Sequence, residues 1–502
     1  MKTILEYLEL SRVRNPEKSA VIDEHTSCTY SQLEQRAKQI GSFLIPVVER
    51  RQSVVCYMDK SVGCLQAFFG IVYAGGFYTL LDPSFPQERV AQILGVLKPA
   101  VILTTHGYDD QVSKLGQGQN IIYLEDIPET VDELALNARR AAALDTDPLY
   151  CNFTSGSTGV PKGVLVAHRS VIEFIDVFTR TFGLTEKDVF GNQAPFDFDV
   201  SVKDIYSSLK VGGTLVLIPK PYFMFPVKLV EMLQQYHVTT LIWAVSALCM
   251  IMRLHALKAI RPDAINKIMF SGEVMPIKQF NKWRKAYPDA MFVNLYGPTE
   301  ITCNCTYYIV DREFTEEDKI PMGIPFDNEH VFLLDDQDHL AIGDGVGEVC
   351  VSGTSVALGY YRNPEQTKKA FVQNPLQSDY PEVIYRTGDL ATRDENGMFV
   401  FVGRKDFQIK HMGHRIELEE IETVLGNVEG VSHACCAYDQ KHNKVVAFYV
   451  GEVDKVQIIE AMKKVVPEYM VPNVLKQMDQ LPLTKNGKTD RKKLLADYLE
   501  GK

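Results

Sequence analysis

Residues 154–163 have the sequence Thr-Ser-Gly-Ser-Thr-Gly-Val-Pro-Lys-Gly. The stretch holds four hydroxyl groups, three glycines and one lysine. Apolar residues lie on both sides of it, which predicts a strand, a tight loop and a second strand. Glycines let backbone N–H groups approach an anion closely, and hydroxyls and an ammonium add further donors. The loop is therefore predicted to hold a polyphosphate.

The loop does not match the common nucleotide-binding patterns. Counting from Gly156, the phosphate-loop pattern G-x-x-x-x-G-K-[ST] would need glycine at Pro161 and a hydroxyl residue at Gly163. No G-x-G-x-x-G occurs there either. The string T-S-G-S-T-G-x-P-K-G instead resembles the signature of the adenylate-forming enzymes, which include acyl-CoA synthetases, luciferases and peptide-synthetase adenylation domains. The resemblance implies that the loop closes over the β- and γ-phosphates of ATP through Thr154, Ser155, Gly156, Ser157, Thr158, Gly159 and Lys162.

Composition limits the class of protein and the compartment. A chain of 502 residues is too long for one simple core, and its net charge of −11 argues against a general nucleic-acid binder. The ten cysteines show no paired framework, which favours buried thiols in a reducing compartment. No apolar run approaches the ~20 residues that span a membrane, and the N-terminus resembles an amphipathic helix rather than a signal peptide. We expect a cytoplasmic protein without membrane insertion.

The order of helical and strand-like segments predicts an α/β protein. Up to about residue 320, strands such as 51–57 alternate with helices such as 31–44, for which Ser31 is the predicted N-cap, and this alternation indicates layers around a mostly parallel sheet. Short glycine-bounded strands over 340–400 predict a small β-rich subdomain. After Arg404-Lys-Asp406 the pattern restarts as an α+β part. We predict an N-terminal adenylation core, 1–405, and a small C-terminal domain, 406–502.

Further motifs of the same family follow in the same order along the chain. Phe-Ser-Gly-Glu273 and the Asn-Leu-Tyr-Gly-Pro-Thr-Glu stretch at 294–300 resemble its adenine and metal elements. The resemblance implies that Glu273 lies at the nucleotide, that Asn294 lies at the adenine edge and that Tyr296 stacks on the base. It also implies that Thr299 contacts phosphate in catalysis and that Glu300 reaches Mg²⁺.

The remaining motifs concern the ribose, the hinge and the catalytic lysine. By resemblance, Asp389 of Tyr-Arg-Thr-Gly-Asp accepts hydrogen bonds from the ribose hydroxyls, and Arg404 contacts the nucleotide during catalysis. Asp406 would be the pivot about which a mobile C-terminal lid rotates. In the stretch Leu-Pro-Leu-Thr-Lys-Asn-Gly-Lys, Lys488 corresponds to the catalytic lysine, whereas Lys485 is a neighbour without that role.

The segment 192–204 resembles the start of the acyl pocket in members that activate amino acids. There an aspartate of the F-D-x-S-V motif pairs with the substrate ammonium, and it falls on Asp199. A buried carboxylate beside a bound cation is physically sensible because an unpaired buried charge is costly. Bracing a turn is the alternative role. By motif alignment the other pocket positions are Val200, Lys203, Trp243, Met269, Ser271, Leu295, Cys303 and Asn304.

Within the family, segments 192–206 and 406–410 most resemble the stand-alone D-alanine–carrier protein ligases. The chain departs from them at Ser271, where they have cysteine, so that D-alanine or another small, polar or acidic amino acid is expected. Trp243 is predicted to make the pocket shallow. Lys203 has two interpretations: it pairs with an acidic substrate side chain, or it extends outward to solvent.

The resemblance implies a two-step reaction that uses ATP and Mg²⁺. An amino acid is activated as aminoacyl-AMP, pyrophosphate leaves, and the aminoacyl group passes to a phosphopantetheine thiol. Because the chain has no carrier-type G-G-[HD]-S motif, the carrier is expected to be a separate protein. Two alternatives remain at this point: an acyl- or aryl-CoA ligase without an α-amino requirement, and a non-catalytic module that binds a carrier.

Overall fold

A computed structural model describes residues 1–115, 118–156, 159–484 and 489–501. Helices and strands alternate through most of these residues. The α-helices of the described residues are Leu5–Arg14, Tyr30–Leu44, Val62–Tyr73, Gln87–Leu97, Asp109–Val112, Glu133–Ala142, His168–Thr181, Ser201–Val211, Pro226–Gln235, Val245–Arg253, Ile277–Ala286, Pro364–Ala370, Leu418–Gly426, Lys455–Lys463 and Arg491–Leu499.

The largest sheet among the described residues has nine strands. Its central strands pair in parallel. The two outermost pairings at one edge and the outermost pairing at the other edge are antiparallel. In spatial order the strands are Ile324–Pro325, Thr306–Ile309, Met291–Tyr296, Lys267–Ser271, Thr240–Ala244, Val189–Asn192, Thr214–Leu217, Ser19–Ile22 and Ser27–Thr29.

A second sheet has seven strands in the described part of the chain. In spatial order they are Gly359–Tyr360, Lys162–Ala167, Pro148–Thr154, Phe77–Leu81, Ser53–Tyr57, Val101–Thr104 and Ile121–Tyr123. Ser53–Tyr57 and Phe77–Leu81 pair in parallel and are buried at every position. Continuous apolar runs of this kind suit parallel strands that are covered on both faces. The predicted α/β class is confirmed.

The β-rich part predicted over 340–400 is an antiparallel sheet. Its strands are Glu329–Leu334, Gly347–Gly353, Val383–Arg393 and Phe371–Gln373, with Phe399–Arg404 paired to the third of these. Side chains such as Val349, Tyr385 and Phe399 form its own small core. Sequence and structure agree here because short apolar strands between glycines have few other ways to bury one face.

The predicted cap of one helix is wrong by two residues. Helix Tyr30–Leu44 begins after Thr29, and not at Ser31. The Thr29 hydroxyl accepts from the Gln32 N–H, and the Gln32 side chain accepts from the Thr29 N–H. This reciprocal capping box satisfies two N–H groups that would otherwise lack partners, so Thr29 is the better start.

The chain divides into two compact units. The first comprises Met1–Pro83, Lys98–Asn152 and Val164–Lys405, and the second comprises Ser84–Leu97, Phe153–Gly163 and Asp406–Lys502. Within the second unit, strands Val431–Asp439, Lys444–Gly451 and Val474–Gln477 form a three-stranded sheet, and Gln408–His411 pairs with His414–Glu417. Helices Leu418–Gly426 and Lys455–Lys463 supply Ile421 and Ile458 to its core. In the described residues no helix is long and apolar enough to cross a membrane.

Candidate functional site

Three side chains predicted to bind nucleotide meet in the first unit. The Tyr296 hydroxyl donates to Asp389 Oδ2 at 2.6 Å, and Arg404 Nη1 donates to Asp389 Oδ1 at 2.6 Å. Asp389 is only 4% exposed. Strand pairing brings Asp389 and Arg404 together, because they are directly paired residues of neighbouring antiparallel strands. A buried carboxylate held from both sides keeps one orientation and still has lone pairs to accept from two hydroxyls of a ligand.

The surroundings of Tyr296 keep its hydroxyl protonated. Burial, and then the charge of Asp389, raises the pKa of Tyr296 well above its usual value. Its strand, Met291–Tyr296, also carries Asn294, whose Nδ2 donates to the Pro321 carbonyl at 2.7 Å. Glu273 follows the neighbouring strand Lys267–Ser271, after Gly272 with a φ of +95°. These predicted contacts of the nucleotide lie at or just beyond the carboxyl ends of adjacent parallel strands, where α/β sheets bind ligands.

Glu300 is the predicted metal ligand, and its carboxylate is completely buried. It lies in the 3₁₀ turn Thr299–Ile301, and its Oε1 accepts from the Tyr360 hydroxyl at 2.7 Å. Thr299 is 6% exposed in the same turn. Tyr360 was not found by sequence reasoning, because nothing in its own neighbourhood marks it as a partner of an acid.

The residues present fit a magnesium ion that is bound mainly by phosphate and water. Glu300 offers a hard oxygen ligand of the kind that Mg²⁺ prefers. Among the described residues no group of three or more His, Cys, Asp or Glu side chains could form a metal cage. A single carboxylate suits an ion that keeps most of its ligands from nucleotide phosphates and solvent. When bound, the ion would neutralise phosphate charge beside Glu300.

The backbone of the 154–163 loop requires glycine at two places. A Cβ on Gly156 would lie 2.1 Å from the Val160 carbonyl oxygen, which is far inside van der Waals contact. Gly159 has a φ of +78°, a region that L-residues with side chains rarely adopt. Its N–H donates to the Gly156 carbonyl at 2.9 Å and closes the turn. Gly156 and Gly159 therefore permit a tight turn.

In the second unit, two donors of this loop contact carboxylates. The Gly156 N–H donates to Glu420 Oε2 at 2.9 Å, and Lys162 Nζ lies 3.6 Å from Glu417 Oε1. The Ser155 hydroxyl donates to the Arg415 carbonyl and accepts from the Glu417 N–H. These contacts are those expected of donors that can also bind an anion such as phosphate.

One buried hydroxyl of the loop fits the expected ATP. In the described part of the chain, Thr154 Oγ1 is buried and has no hydrogen-bond partner, so a phosphate oxygen could accept from it. The other predicted loop contacts, Ser157 and Thr158, lie outside the described residues. So do Lys488, the predicted catalytic lysine, and its neighbour Lys485.

The predicted amino-acid pocket lies on one face of the nine-stranded sheet. Ser271 pairs with Leu295 and Ala244 across adjacent strands, and Met269 is two residues before Ser271, so these side chains share a face. Helix Ser201–Val211 packs its apolar side chains into the same core as Met269 and Leu295. Every predicted pocket position is buried: Asp199, Val200, Lys203, Trp243, Met269, Ser271, Leu295, Cys303 and Asn304.

Trp243 does not lie with the others. It pairs with Phe270, on the opposite face, and both belong to a second core. Its indole Nε1 donates to the Gly191 carbonyl at 2.6 Å, and its ring packs on Phe223. Because side chains alternate across a strand, Ala244 takes the position on the pocket face. The prediction of a shallow pocket rested on Trp243, and the residue on the pocket face at this point is the small Ala244.

The loop after strand Met291–Tyr296 places Cys303 and Asn304. Thr302 and Cys303 have φ values of +54° and +91°, which are uncommon for residues with side chains. A Cβ on Gly297 would lie 2.5 Å from the Asn304 Cα, so glycine is required for this close approach. Backbone in such regions persists when its surroundings hold it firmly, and it often lies at ligand sites.

Asp199 lies two residues before the helix that faces this pocket, and it is 5% exposed. Its charge contributes, after burial, to raising the pKa of Tyr150. In the described residues the buried Tyr150 hydroxyl has no hydrogen-bond partner. Sequence reasoning missed Tyr150, although its place just before the 154–163 loop puts it on a strand that leads to the site.

At the predicted hinge, the division between the two units falls between Lys405 and Asp406. On one side, Lys405 Nζ lies 3.4 Å from Glu348 Oε2 within the first unit. On the other, Asp406 Oδ1 accepts from the Gln408 N–H at 3.2 Å within the second. The rotation of residues 406–502 about this point stays a prediction.

Comparison with known families matches both parts of the chain. Residues 8–361 match the model of the AMP-binding enzyme family, and residues 420–488 match that of the AMP-binding enzyme C-terminal domain. The first match alone covers more than half of the chain. The family expected from the motifs is therefore confirmed.

Individual relatives agree with this assignment. The chain is 31% identical over 501 residues to D-alanine–D-alanyl carrier protein ligase of Lacticaseibacillus casei, covering 96% of each chain. It is 32% identical to part of tyrocidine synthase 3 of Brevibacillus parabrevis, over 97% of this chain but only 7% of that protein.

A solved structure has the same fold. The Vibrio cholerae adenylation domain AlmE, in complex with glycyl-adenosine-5′-phosphate, matches with a TM-score of 0.85 and 22% identity, covering 99% of this chain and 98% of the other. The chain belongs to the AMP-binding family of adenylate-forming enzymes, and it is related to peptide-synthetase adenylation domains and to D-alanine–carrier protein ligase.

Proposed function

We propose that the chain activates an amino acid as aminoacyl-AMP and transfers it to the phosphopantetheine thiol of a separate carrier protein. The observation that carries the proposal is the buried Asp199 carboxylate beside the pocket face of the sheet. A carboxylate kept there is suited to the α-ammonium of an amino acid, which fatty and aryl acids lack.

In the first step, a carboxylate oxygen of the amino acid attacks the α-phosphorus of ATP. The bond between the α-phosphorus and the oxygen that bridges to the β-phosphate breaks, and pyrophosphate leaves. Two anions must approach each other, so positioning and charge neutralisation are the main contributions of the protein. Asp389 would orient the ribose, Arg404 and Lys488 would face the α-phosphate and substrate carboxylate, and the 154–163 loop would hold the leaving phosphates.

In the second step, the carrier thiol loses its proton and its sulfur attacks the acyl carbon. The carbon–oxygen bond to AMP breaks, so a thioester and AMP are formed. Lys488 is not needed here. Rotation of residues 406–502 about Asp406 would remove it, which couples the domain motion to the order of the two steps.

The test is ATP–pyrophosphate exchange across L- and D-amino acids, with fatty and aryl acids as controls. We expect exchange with an amino acid and its loss in Asp199→Ala, while Asp479→Ala, an exposed aspartate, serves as the matched control. Exchange only with acids that lack an α-amino group would assign the chain to the CoA-ligase branch. No exchange with any acid would favour the non-catalytic carrier-binding module.

A further inference from the structure

Lys203 is a lysine that does not reach solvent. It lies in helix Ser201–Val211 and its exposed fraction is 0%. Its Nζ donates to Asn304 Oδ1 at 2.7 Å and is 3.4 Å from Ser271 Oγ. Of the two interpretations that the sequence left open, extension of the side chain to solvent is therefore excluded.

The groups in contact with the Lys203 ammonium are neutral. They are the amide of Asn304, the hydroxyl of Ser271 and the thiol of Cys303. Within the described ranges Lys203 makes no ion pair with a carboxylate of the protein. A buried ammonium that contacts only neutral acceptors remains incompletely compensated, which is costly in a medium of low dielectric constant.

Asp204 is the acidic residue next to Lys203 in sequence, but in the described residues it makes no ion pair with the lysine ammonium. The Oδ2 of Asp204 accepts from Asn192 Nδ2 at 2.9 Å. Burial raises the pKa of Asp204 to about 7, although the charges of Lys203 and Lys60 oppose this. Burial therefore disfavours the charged form of Asp204, and its Oδ2 contacts Asn192.

Lys203 and Asp199 face the same small region. Asp199 lies two residues before helix Ser201–Val211, and Lys203 lies in the first turn of that helix. The Cys303 thiol is close to both charges: burial raises its pKa to about 12, Lys203 lowers it and Asp199 raises it. A positive and a negative side chain thus both act on the same buried thiol.

Resting on the proposed function, we propose that the activated amino acid carries a second carboxylate on its side chain, which pairs with Lys203 while its α-ammonium pairs with Asp199. Ser271 and Asn304 hold the lysine toward that carboxylate. A neutral side-chain amide could accept the same hydrogen bond, but only a carboxylate neutralises the buried cation. The substrate class is that of the dicarboxylic amino acids, such as aspartate and glutamate.

The test is ATP–pyrophosphate exchange by the full chain with L- and D-aspartate, glutamate, asparagine, glutamine and alanine. We expect a dicarboxylic acid to give the highest kcat/KM, on the order of 100-fold above its own amide. In Lys203→Met, which keeps a side chain of similar length, kcat/KM for that acid falls about 100-fold through the KM of the amino acid. The KM of ATP stays unchanged, and the preference shifts toward the neutral amide.

Lys210→Met is the matched control, because it removes a lysine from the same helix that pairs with Asp176 instead. We expect it to exchange like the parent chain. The wild-type substrate ranking decides the question even if Lys203→Met does not fold. A wild-type preference for alanine or an amide over both dicarboxylic acids would overturn this inference and leave the proposed function standing. No exchange with any amino acid would overturn both.

Discussion

At the scale of single residues, Asp389, the residue predicted to bind ribose, is already held by two donors. Tyr296 donates to one carboxylate oxygen and Arg404 to the other, each at 2.6 Å. Both donors are fixed by the strands that carry them, so the carboxylate has little freedom before a ligand arrives. Such preorganisation lowers the entropy that binding must offset.

Replacing Tyr296 with phenylalanine tests this arrangement. The change keeps the ring that is predicted to stack on adenine and removes one donor from a buried carboxylate, an effect of about 1–3 kcal/mol. We expect the KM of ATP to rise at least several-fold with a smaller change in kcat. Tyr287→Phe is the control, since the buried Tyr287 hydroxyl has no partner in the described residues. An unchanged KM in Tyr296→Phe would contradict the role given to this hydrogen bond.

The structure brings some of the residues singled out from the sequence together and separates others, and the roles predicted for them stay predictions. Asp389 and Arg404 were expected at one nucleotide, and they touch. Trp243 was expected in the pocket, yet it faces the opposite side of its strand, because a shift of one residue reverses the face. The burial of Lys203 could not be predicted, since a lysine stem can lie along an apolar surface and still end in water.

At the scale of elements, the backbone of the 154–163 loop requires glycine at position 156. Gly156 has no room for a Cβ, because the Val160 carbonyl oxygen would lie 2.1 Å from it. Any side chain there must open the turn and move the N–H groups. The loop is thus a backbone site whose geometry is set by a steric requirement.

Gly156→Ala should therefore damage activity without unfolding the chain. We expect the KM of ATP to rise by more than about 10-fold, because a donor displaced by even 1 Å loses most of its catalytic value. Gly95→Ala, in helix Gln87–Leu97, is the matched control, since its Cβ would meet nothing within 4 Å. That variant should keep full exchange and gain up to about 1 kcal/mol of stability from helix propensity. Normal exchange in Gly156→Ala would show that the loop is less constrained than its contacts indicate.

A buried histidine contacts the start of the N-terminal helix, Leu5–Arg14, within the first unit. His168 Nδ1 accepts from the Ile4 N–H at 3.4 Å, so that nitrogen must be unprotonated. Burial lowers the pKa of His168 from 6.5 to about 3. Its unfolded form binds a proton below pH 6.5 and its folded form does not, so the stability it contributes is complete above that pH and is lost as the pH falls toward 3.

Stability measured by chemical unfolding from pH 7 downward tests this. We expect His168 to lower the free energy of unfolding by at most about 1.4 kcal/mol per pH unit as the pH falls. In His168→Gln the slope below pH 6.5 should be shallower. His433→Gln, at an exposed position, should leave the slope as it is. Equal slopes in all three proteins would show that His168 is not the group responsible.

Elements were predicted better than their ends. The strand, loop and strand around residue 154 occur as Pro148–Thr154 and Lys162–Ala167, and the β-rich part follows where glycine-bounded strands predicted it. The start of helix Tyr30–Leu44 was misplaced because Thr29 and Ser31 are both good caps by composition. Ser31 has Glu34 three residues later, just as Thr29 has Gln32, but Glu34 pairs with Arg12 and Lys38, and the box that forms is that of Thr29 and Gln32.

At the scale of the whole molecule, the chain forms two compact units, and one division between them falls between Lys405 and Asp406. The Arg89–Glu420 ion pair, at 2.5 Å, and the contact of Gly156 with the same Glu420 lie inside the second unit. Both groups are almost fully buried in that pair. These contacts could not be predicted, because Arg89, Gly156 and Glu420 are far apart along the chain and no motif links them.

Separate assays of the two steps test the predicted division of labour. Lys488→Ala should abolish exchange, because the cation that faces the α-phosphate and substrate carboxylate is lost. Lys485→Ala, three residues away, should retain it. With synthetic aminoacyl-AMP, Lys488→Ala should still load a carrier thiol at a rate close to that of the parent chain. Full exchange in Lys488→Ala would show that another residue is the catalytic cation.

The most direct test of the central claim follows oxygen atoms from the amino acid. The amino acid that supports exchange is labelled with heavy oxygen in its carboxylate, and hydroxylamine is added to release AMP. Attack on the α-phosphorus predicts that AMP carries one labelled oxygen and that inorganic phosphate carries none. Label in phosphate with release of ADP, or unlabelled AMP, would contradict activation through an aminoacyl-adenylate.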